Sequence, residues 1–305
     1  MNENTKIKIM ICCHKKCDLP NDPQGVFFPI QVGAALSSVD LGFQRDDQVN
    51  GLPCDNISSK NKSYCELSAI YWAWKNIKKI YPNLEYIGLN HYRRYFDFNH
   101  KYLFKDVTYC QEHSVNRYQL APVSTIIEKT IVAKQTIYPR SNWLEYCHCH
   151  LSDDAQVLMR VISKDYPEYK NAAIKFFISN NSISHYNMFV MKWDYFDRYC
   201  NFLFGFLNKI EKQIDISAYS PKQTRIFGYM AERLLNIWLD KEGIVSRRLP
   251  IINYRNDRRD KSELWFMQRH IRAQIAHNMQ KVRDPEMEWD CILKEAANIP
   301  LPSKK

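Results

Sequence analysis

Hydrophobic and polar positions switch between two periods along this chain. Residues 6–13, Lys-Ile-Lys-Ile-Met-Ile-Cys-Cys, are a short apolar run rich in β-branched side chains, which reads as a buried strand. His14, Lys15 and Lys16 follow at its carboxyl end. Between residues 40 and 62 the pattern is irregular, broken by Gly42, Gly51 and Pro53. Leu67, Ile70, Tyr71, Trp74 and Ile77 then recur at helical spacing, with Pro82 as the stop. Ser63 and Glu66 precede that stripe as an S-x-x-E capping box.

Glu85 to Leu89 reads as a strand that runs straight into Asn90-His91-Tyr92-Arg93-Arg94-Tyr95-Phe96, the densest polar and aromatic cluster in the chain. Ile126 to Ala133 reads as another strand, with Lys134 at its end. Residues 153–178 are helical, with Pro167 at a junction between helices. Tyr186 to Met191 predicts a strand, Trp193 to Ile210 a helix, and 215–221 a loop. A further helix spans about Lys222 to Leu239, where Ile226, Met230, Leu234 and Ile237 form the apolar stripe. Arg225, Tyr229 and Glu232 share a neighbouring polar face, either lining a cleft or pairing Arg with Glu along the helix.

After Pro250 the chain changes character. Residues 255–284 carry eight Lys/Arg and four Asp/Glu, and Leu264, Met267, Ile271, Ile275, Met279 and Val282 fall at helical spacing. Such a basic amphipathic helix lies on an anionic membrane surface, or packs back on the body or on a second subunit. Strands alternating with helices predict an α/β fold: a mixed sheet flanked by helices, with a cleft at the strand ends. The expected organisation is a main domain over 1–254 and a helical basic extension over 255–305.

Glycine narrows the chemistry. The chain holds only 8 glycines in 305 residues, against roughly 21 at average usage of about 7%. No two are close enough for a G-x-G-x-x-G turn or a G-x-x-x-x-G-K-[ST] loop, which argues against Rossmann, P-loop and kinase phosphate binding. A bound phosphate must then be held by side chains, isolated amides or a metal. Net charge is +10, from 43 Lys+Arg and 33 Asp+Glu, so an anionic partner is expected. His14/Lys15, Asn90 to Arg94, Lys134, Asn187 and Arg225 recur near predicted strand or helix ends, which suits a substrate with phosphates on its leaving group.

The ten cysteines include no C-x-x-C, the start of the chain lacks a secretory apolar core, and no run approaches the ~18 apolar residues of a membrane helix. Reduced thiols in a cytoplasmic protein are expected. Cys147-His148-Cys149-His150 would alternate Cys and His on two strand faces, and no second ligand pair stands at finger spacing, so zinc is not expected. The carboxylate clamp D-x-D is absent; Asp46-Asp47, Asp153-Asp154 and Asp97-Phe98-Asn99 come nearest to it.

Several segments in order resemble one bacterial family. They are Lys8 to Lys15; Asp55 to Ser58 with Asn61 and Tyr64-Cys65-Glu66-Leu67; Tyr71-Trp72-Ala73-Trp74-Lys75-Asn76; Leu89 to Phe96; Tyr186 to Phe189; and Arg225 to Leu234. The family was long catalogued as a domain of unknown function. Its members occur in capsule, exopolysaccharide and lipopolysaccharide gene clusters and are regarded as glycosyltransferases of GT-A-like fold, some implicated in galactofuranosyl transfer. The resemblance covers roughly residues 6–250 and leaves the tail outside.

The resemblance implies a nucleotide sugar, UDP-linked, at the strand ends, and a surface glycan or lipid-linked glycan as acceptor. His14 and Lys15 would lie near the nucleotide, and Asp55, Asn56 and Asn61 would border its base or ribose. Asn90 to Arg94 would stand where D-x-D stands in other GT-A enzymes. There Arg93 and Arg94 neutralise the departing diphosphate, or Asn90 and His91 help hold Mn²⁺ or Mg²⁺. Asn187 would face the sugar, with Arg225 and Glu232 on the acceptor side. In a direct displacement, Glu232 or, failing it, Asp154 would serve as general base; a retaining enzyme has no such role. The competing expectations are a sugar-phosphate transferase and a non-enzymatic basic module for membrane or nucleic acid. The absence of any nucleic-acid motif argues against nucleic acid as partner.

Overall fold

The computed structural model describes residues 6–299. Ten strands form one mixed sheet. They are β1 (Ile7–Cys13), β2 (Phe27–Gln31), β3 (Gln44–Arg45), β4 (Tyr86–His91), β5 (Arg94–Phe96), β6 (Val107–Cys110), β7 (Thr130–Ala133), β8 (Phe189–Lys192), β9 (Ser246–Leu249) and β10 (Ile251–Tyr254). The main ladder runs β9-β7-β8-β4-β1-β2-β3. β1 lies parallel to both β2 and β4, while β8 runs antiparallel between β4 and β7. β5 folds back antiparallel on β4, with His91 opposite Arg94, and β10 joins β5 to β6.

Helices cover this sheet: α1 (Asn61–Tyr64), α2 (Leu67–Ile80), α3 (Val123–Ile126), α4 (Asn142–Cys149), α5 (Ser152–Asp165), α6 (Lys170–Ile174), α7 (Trp193–Glu211), α8 (Ile226–Lys241), α9 (Glu263–Met279) and α10 (Pro285–Ala296). β1 is buried on both faces, as its continuous apolar run predicts. Met10 and Cys12 join one core with α2, α5, α7 and α8, whereas Ile7, Ile9, Ile11 and Cys13 join the opposite core with Tyr95, Phe96 and Tyr254. At Gly88 on β4 a Cβ would come within 2.8 Å of the Val190 side chain and 2.9 Å of the Phe189 carbonyl, so glycine permits the close approach of β8.

Several expectations need correction. The helix around Ser63 breaks at Cys65, whose φ of 53° separates α1 from α2. No capping box forms, because the Ser63 hydroxyl donates to the Lys60 carbonyl and the Glu66 carboxylate turns to Asn187. The strand expected over 126–133 shortens to β7, since Ile126 ends α3. The strand expected from Tyr186 begins only at Phe189; Tyr186 and Asn187 sit at φ 74° and 51° in a left-handed turn. Cys147 to Cys149 end helix α4 instead of alternating along a strand.

Pro167 does stand between α5 and α6. The 255–284 stretch forms α9, but its predicted stripe is largely exposed: Leu264, Ile271, Ile275 and Met279 face outward, and Phe266, Ala273 and His277 pack inward. Beyond it, α10 inserts Trp289 into the same core as α2, α5, α7 and α8. The last residues of the expected tail, 300–305, lie outside the described residues.

Candidate active site

β1 and β4 end side by side, with Cys12 in register with His91. That places His14, from the end of β1, beside the turn Tyr92-Arg93 that leads into β5. The α1–α2 junction contributes Asn61, Cys65 and Glu66, the left-handed turn before β8 contributes Tyr186, and the start of α8 contributes Arg225, Tyr229 and Glu232. Together they enclose a cavity of about 920 Å³ at the carboxyl ends of parallel strands. This volume falls in the range of small-molecule and cofactor sites.

The cavity is cationic. Arg93, Arg94 and Arg225 line it, and none of them enters a salt bridge among the described residues. The Nε atoms of Arg93 and Arg94 are buried without a hydrogen-bond partner. Aromatic faces hold the guanidinium groups instead: Arg94 lies 4.5 Å from the Tyr186 ring, Arg93 5.4 Å from Tyr92 and Arg225 5.7 Å from Tyr229. Arg225 Nε also donates to Cys65 Sγ at 3.3 Å. Burial and then the Arg94 charge push His91 down to about 3, so it is neutral and donates from Nε2 to the Tyr186 carbonyl at 2.7 Å. Burial, Lys15 and Arg93 lower His14 likewise. The positive charge at neutral pH is therefore that of the guanidinium groups and of Lys62, which also lines the cavity.

Two carboxylates share this cavity, shifted in opposite directions. Burial works to raise Glu232, but the His185 hydrogen bond and charge, the Arg233 guanidinium and the Tyr186 amide outweigh it and hold the carboxyl at about 2. Its Oε1 accepts from the Tyr186 amide at 2.8 Å, and its Oε2 from Arg233 Nη1 at 2.8 Å, with His185 Nδ1 at 3.4 Å. Glu66 is raised by burial, which its one side-chain hydrogen bond, from Asn187 Nδ2 at 2.7 Å, only partly offsets. The same Asn187 amide donates to the Gly228 carbonyl at 3.1 Å, tying the turn, α2 and α8 together.

A family model described as "Domain of unknown function (DUF4422)" matches residues 8–243. The chain belongs to that family. No curated protein matches it. Among solved structures it is similar to the apo form of the WbbM bifunctional glycosyltransferase, at TM-score 0.69 and 28% identity, over 83% of this chain and 46% of that one. The chain thus spans about half the length of that protein, and its sheet and flanking helices have the GT-A-like glycosyltransferase fold.

Within the DUF4422 chain, His14, Asn61, His91, Arg93, Arg94, Arg225 and Glu232, all expected site residues, line one cavity. Lys15 instead lines an adjoining hollow of about 370 Å³ that shares Tyr92 and Arg93 with the first. Asn90 and Asn187 stand fully buried beside the cavity; Asn90 Nδ2 and Oδ1 and Asn187 Oδ1 have no hydrogen-bond partner. The remaining three expected residues are off the wall. Asp55 accepts from the Tyr71 hydroxyl at 3.1 Å, and Asn56 closes a local turn through the Cys54 carbonyl and Ser58 amide. Asp154, on α5, accepts from the Tyr219 hydroxyl at 2.6 Å and reaches the cavity only through that ring; burial raises it to about 6. Glu66, Cys65 and Lys62 are among the cavity residues that sequence reasoning missed as chemistry. Their local pattern carried no signal of this, because the break at Cys65 and the Asn187 contact arise only in the fold.

The residues do not fit a carboxylate-held Mn²⁺ or Mg²⁺, which takes oxygen ligands. Among the described residues no three His, Cys, Asp or Glu side chains gather as a metal site. Asp46 binds the Gly33 and Ala34 amides, Asp47 pairs with Arg45, and Asp97 caps the Asn99 amide. Of the two other expected holders, His91 already donates its Nε2 proton to the Tyr186 carbonyl, and Asn90, though its Oδ1 lacks a partner, is buried off the cavity wall.

Proposed function

We propose that this chain is a glycosyltransferase that takes a sugar from a nucleotide-sugar donor and passes it to a glycan acceptor. The observation that carries this reading is the convergence of Arg93, Arg94 and Arg225, without carboxylate partners, on one cavity at the strand ends. Arg94 is desolvated, and the buried Nε atoms of Arg93 and Arg94 lack a partner, which costs the fold free energy, so the site is built for an anion. Planar forked donors match phosphate oxygens. The donor diphosphate lies against Arg93 and Arg94, with His14 and Lys15 toward the nucleotide and Asn187 toward the sugar. As the sugar–phosphate bond breaks, negative charge grows on the leaving diphosphate, and fixed guanidinium groups stabilise it there.

The acceptor hydroxyl attacks the anomeric carbon from the side of Glu66 and Arg225. Glu66 takes the hydroxyl proton: it is desolvated, lines the cavity and is held by a single side-chain hydrogen bond. Glu232 is a positioning residue, holding the turn at Tyr186 and Asn187 through His185, Arg233 and the Tyr186 amide. The donor is UDP-linked, with UDP-galactofuranose as one candidate, and the acceptor is a surface-polysaccharide glycan, free or lipid-linked, met on the cytoplasmic side.

The test is product analysis with a panel of UDP-sugars and lipid-linked glycan acceptors. Free UDP with an extended glycan supports the reading. Release of UMP would assign a sugar-phosphate transferase instead, and salt-sensitive polyanion binding with no release would leave a binding module.

A further inference from the structure

Helix α9 is amphipathic, yet its broad apolar side faces away from the protein. Phe266, Ala273 and His277 pack inward, with Arg269 Nη2 on Asp106 at 3.1 Å and His277 Nε2 on the Ser179 carbonyl at 3.1 Å. Leu264, Ile271, Ile275 and Met279 fall on the opposite side at helical spacing, exposed by 56, 47, 56 and 83%. Single exposed apolar side chains are ordinary, but four in a line along one helix form a patch.

The charge around this stripe is net positive, with eight Lys/Arg against four Asp/Glu over residues 255–284. Every acidic residue of the segment is engaged: Asp257 with Arg255, Asp260 with Lys105, Glu263 with the amides of Leu103 to Lys105, and Asp284 with the Met287 amide. Arg259, Lys261, Arg272, Lys281 and Arg283 are exposed and enter no salt bridge among the described residues.

We propose that α9 docks this protein onto the surface of an anionic phospholipid bilayer. Leu264, Ile271, Ile275 and Met279 enter the boundary between headgroups and acyl chains, and the free cations sit among the phosphates. A second copy of the chain is the poorer occupant, because a two-fold contact across this stripe would set the same cations against one another. The docking requires no assumption about the chemistry in the cleft.

The experiment is co-sedimentation of the full chain with phosphatidylcholine vesicles and with phosphatidylcholine/phosphatidylglycerol vesicles, at low and high salt. Binding to the anionic vesicles, weakened by salt and at least about tenfold weaker on neutral ones, is expected. Ile271→Glu with Ile275→Glu should lower it at least about tenfold while leaving the melting temperature in place, since both side chains are exposed. Should that variant melt early, Met279→Glu, at the most exposed position, gives the same reading. Absence of binding to anionic vesicles, or binding undiminished in a folded variant, overturns the proposal. A dimer that the substitution dissolves, with no vesicle binding, assigns the stripe to a second copy and rejects the bilayer.

Discussion

Glu66→Gln separates base chemistry from architecture. The glutamine carbonyl still accepts from Asn187 Nδ2, now at 2.7 Å on Glu66 Oε1, so the link between the turn and α2 survives. What disappears is the capacity to take a proton. A positioned general base contributes about 10²- to 10⁴-fold, or roughly 3–5.5 kcal/mol of barrier. kcat should fall by that factor with donor affinity unchanged. The fold should gain slightly. Burial raises the folded carboxyl above its unfolded value, so its contribution to stability is full below that unfolded value, about 4.3. It is lost as pH rises through the folded pKa. At neutral pH the variant should therefore melt at or above the parent. The assay is UDP release against pH, with calorimetric titration of donor. The parent should show an acidic limb set by a glutamate raised above its ordinary value, and the variant should lack it. A variant that turns over at near-parental rate with the same acidic limb would refute the role.

Glu232→Gln tests the opposite carboxylate. Its folded value of about 2 lies below the ordinary one by an amount worth at most about 3 kcal/mol. That stability is present above pH ~4.3 and is lost as pH falls toward the folded value; urea unfolding at neutral pH should show a loss of about 2–3 kcal/mol, and an unchanged midpoint would contradict the assignment. Arg93→Ala removes a charged donor worth about 1.5–3 kcal/mol, so the donor Kd should rise about 10- to 150-fold; an unchanged Kd by titration calorimetry rejects the diphosphate contact. On the proposed reading, in which guanidinium groups hold the diphosphate, donor binding should be insensitive to EDTA; a Kd that collapses in EDTA and returns with Mn²⁺ would show that the cation does this work.

How much of this was legible depended on how local the cause was. β1 and the first part of β4 were readable from their apolar runs, and Arg93 and Arg94 follow β4 within the same few residues, although β4 itself extends through the buried Asn90 to His91. α7 and α8 were readable from their periodicity. Glu66 was misread because S-x-x-E spacing describes a capping box equally well, and its actual partner, Asn187, lies 121 residues away. Nothing in the local pattern reports a tertiary hydrogen bond. The turn at Tyr186 and Asn187 was hidden for a related reason: tyrosine seldom takes positive φ, so its preference points to a strand until packing overrides it. For α9 the periodicity gave the stripe but not its direction. The inward face needs only Phe266, Ala273 and His277 to hold the helix, leaving the stronger apolar pattern outside.

The two cavity carboxylates connect strain to chemistry. Cys65, Tyr186 and Asn187 are three of the four non-glycine residues at positive φ among the described residues, and all three flank Glu66 in sequence or through the Asn187 amide. Such conformations cost of order 1–3 kcal/mol each and persist only where surrounding contacts enforce them. Here the enforcing group is Glu232, whose acceptance of the Tyr186 amide and of Arg233 fixes the turn and so places Asn187 on Glu66. Paired carboxylates driven to opposite pKa values are how a site assigns one group to structure and the other to proton transfer. On that argument Glu232 must remain ionised for Glu66 to be correctly placed. Glu232→Gln should then lower kcat through geometry and stability while leaving the Glu66 acidic limb visible in the residual activity. If the limb vanished in the Glu232 variant and persisted in the Glu66 variant, the two roles would have to be exchanged.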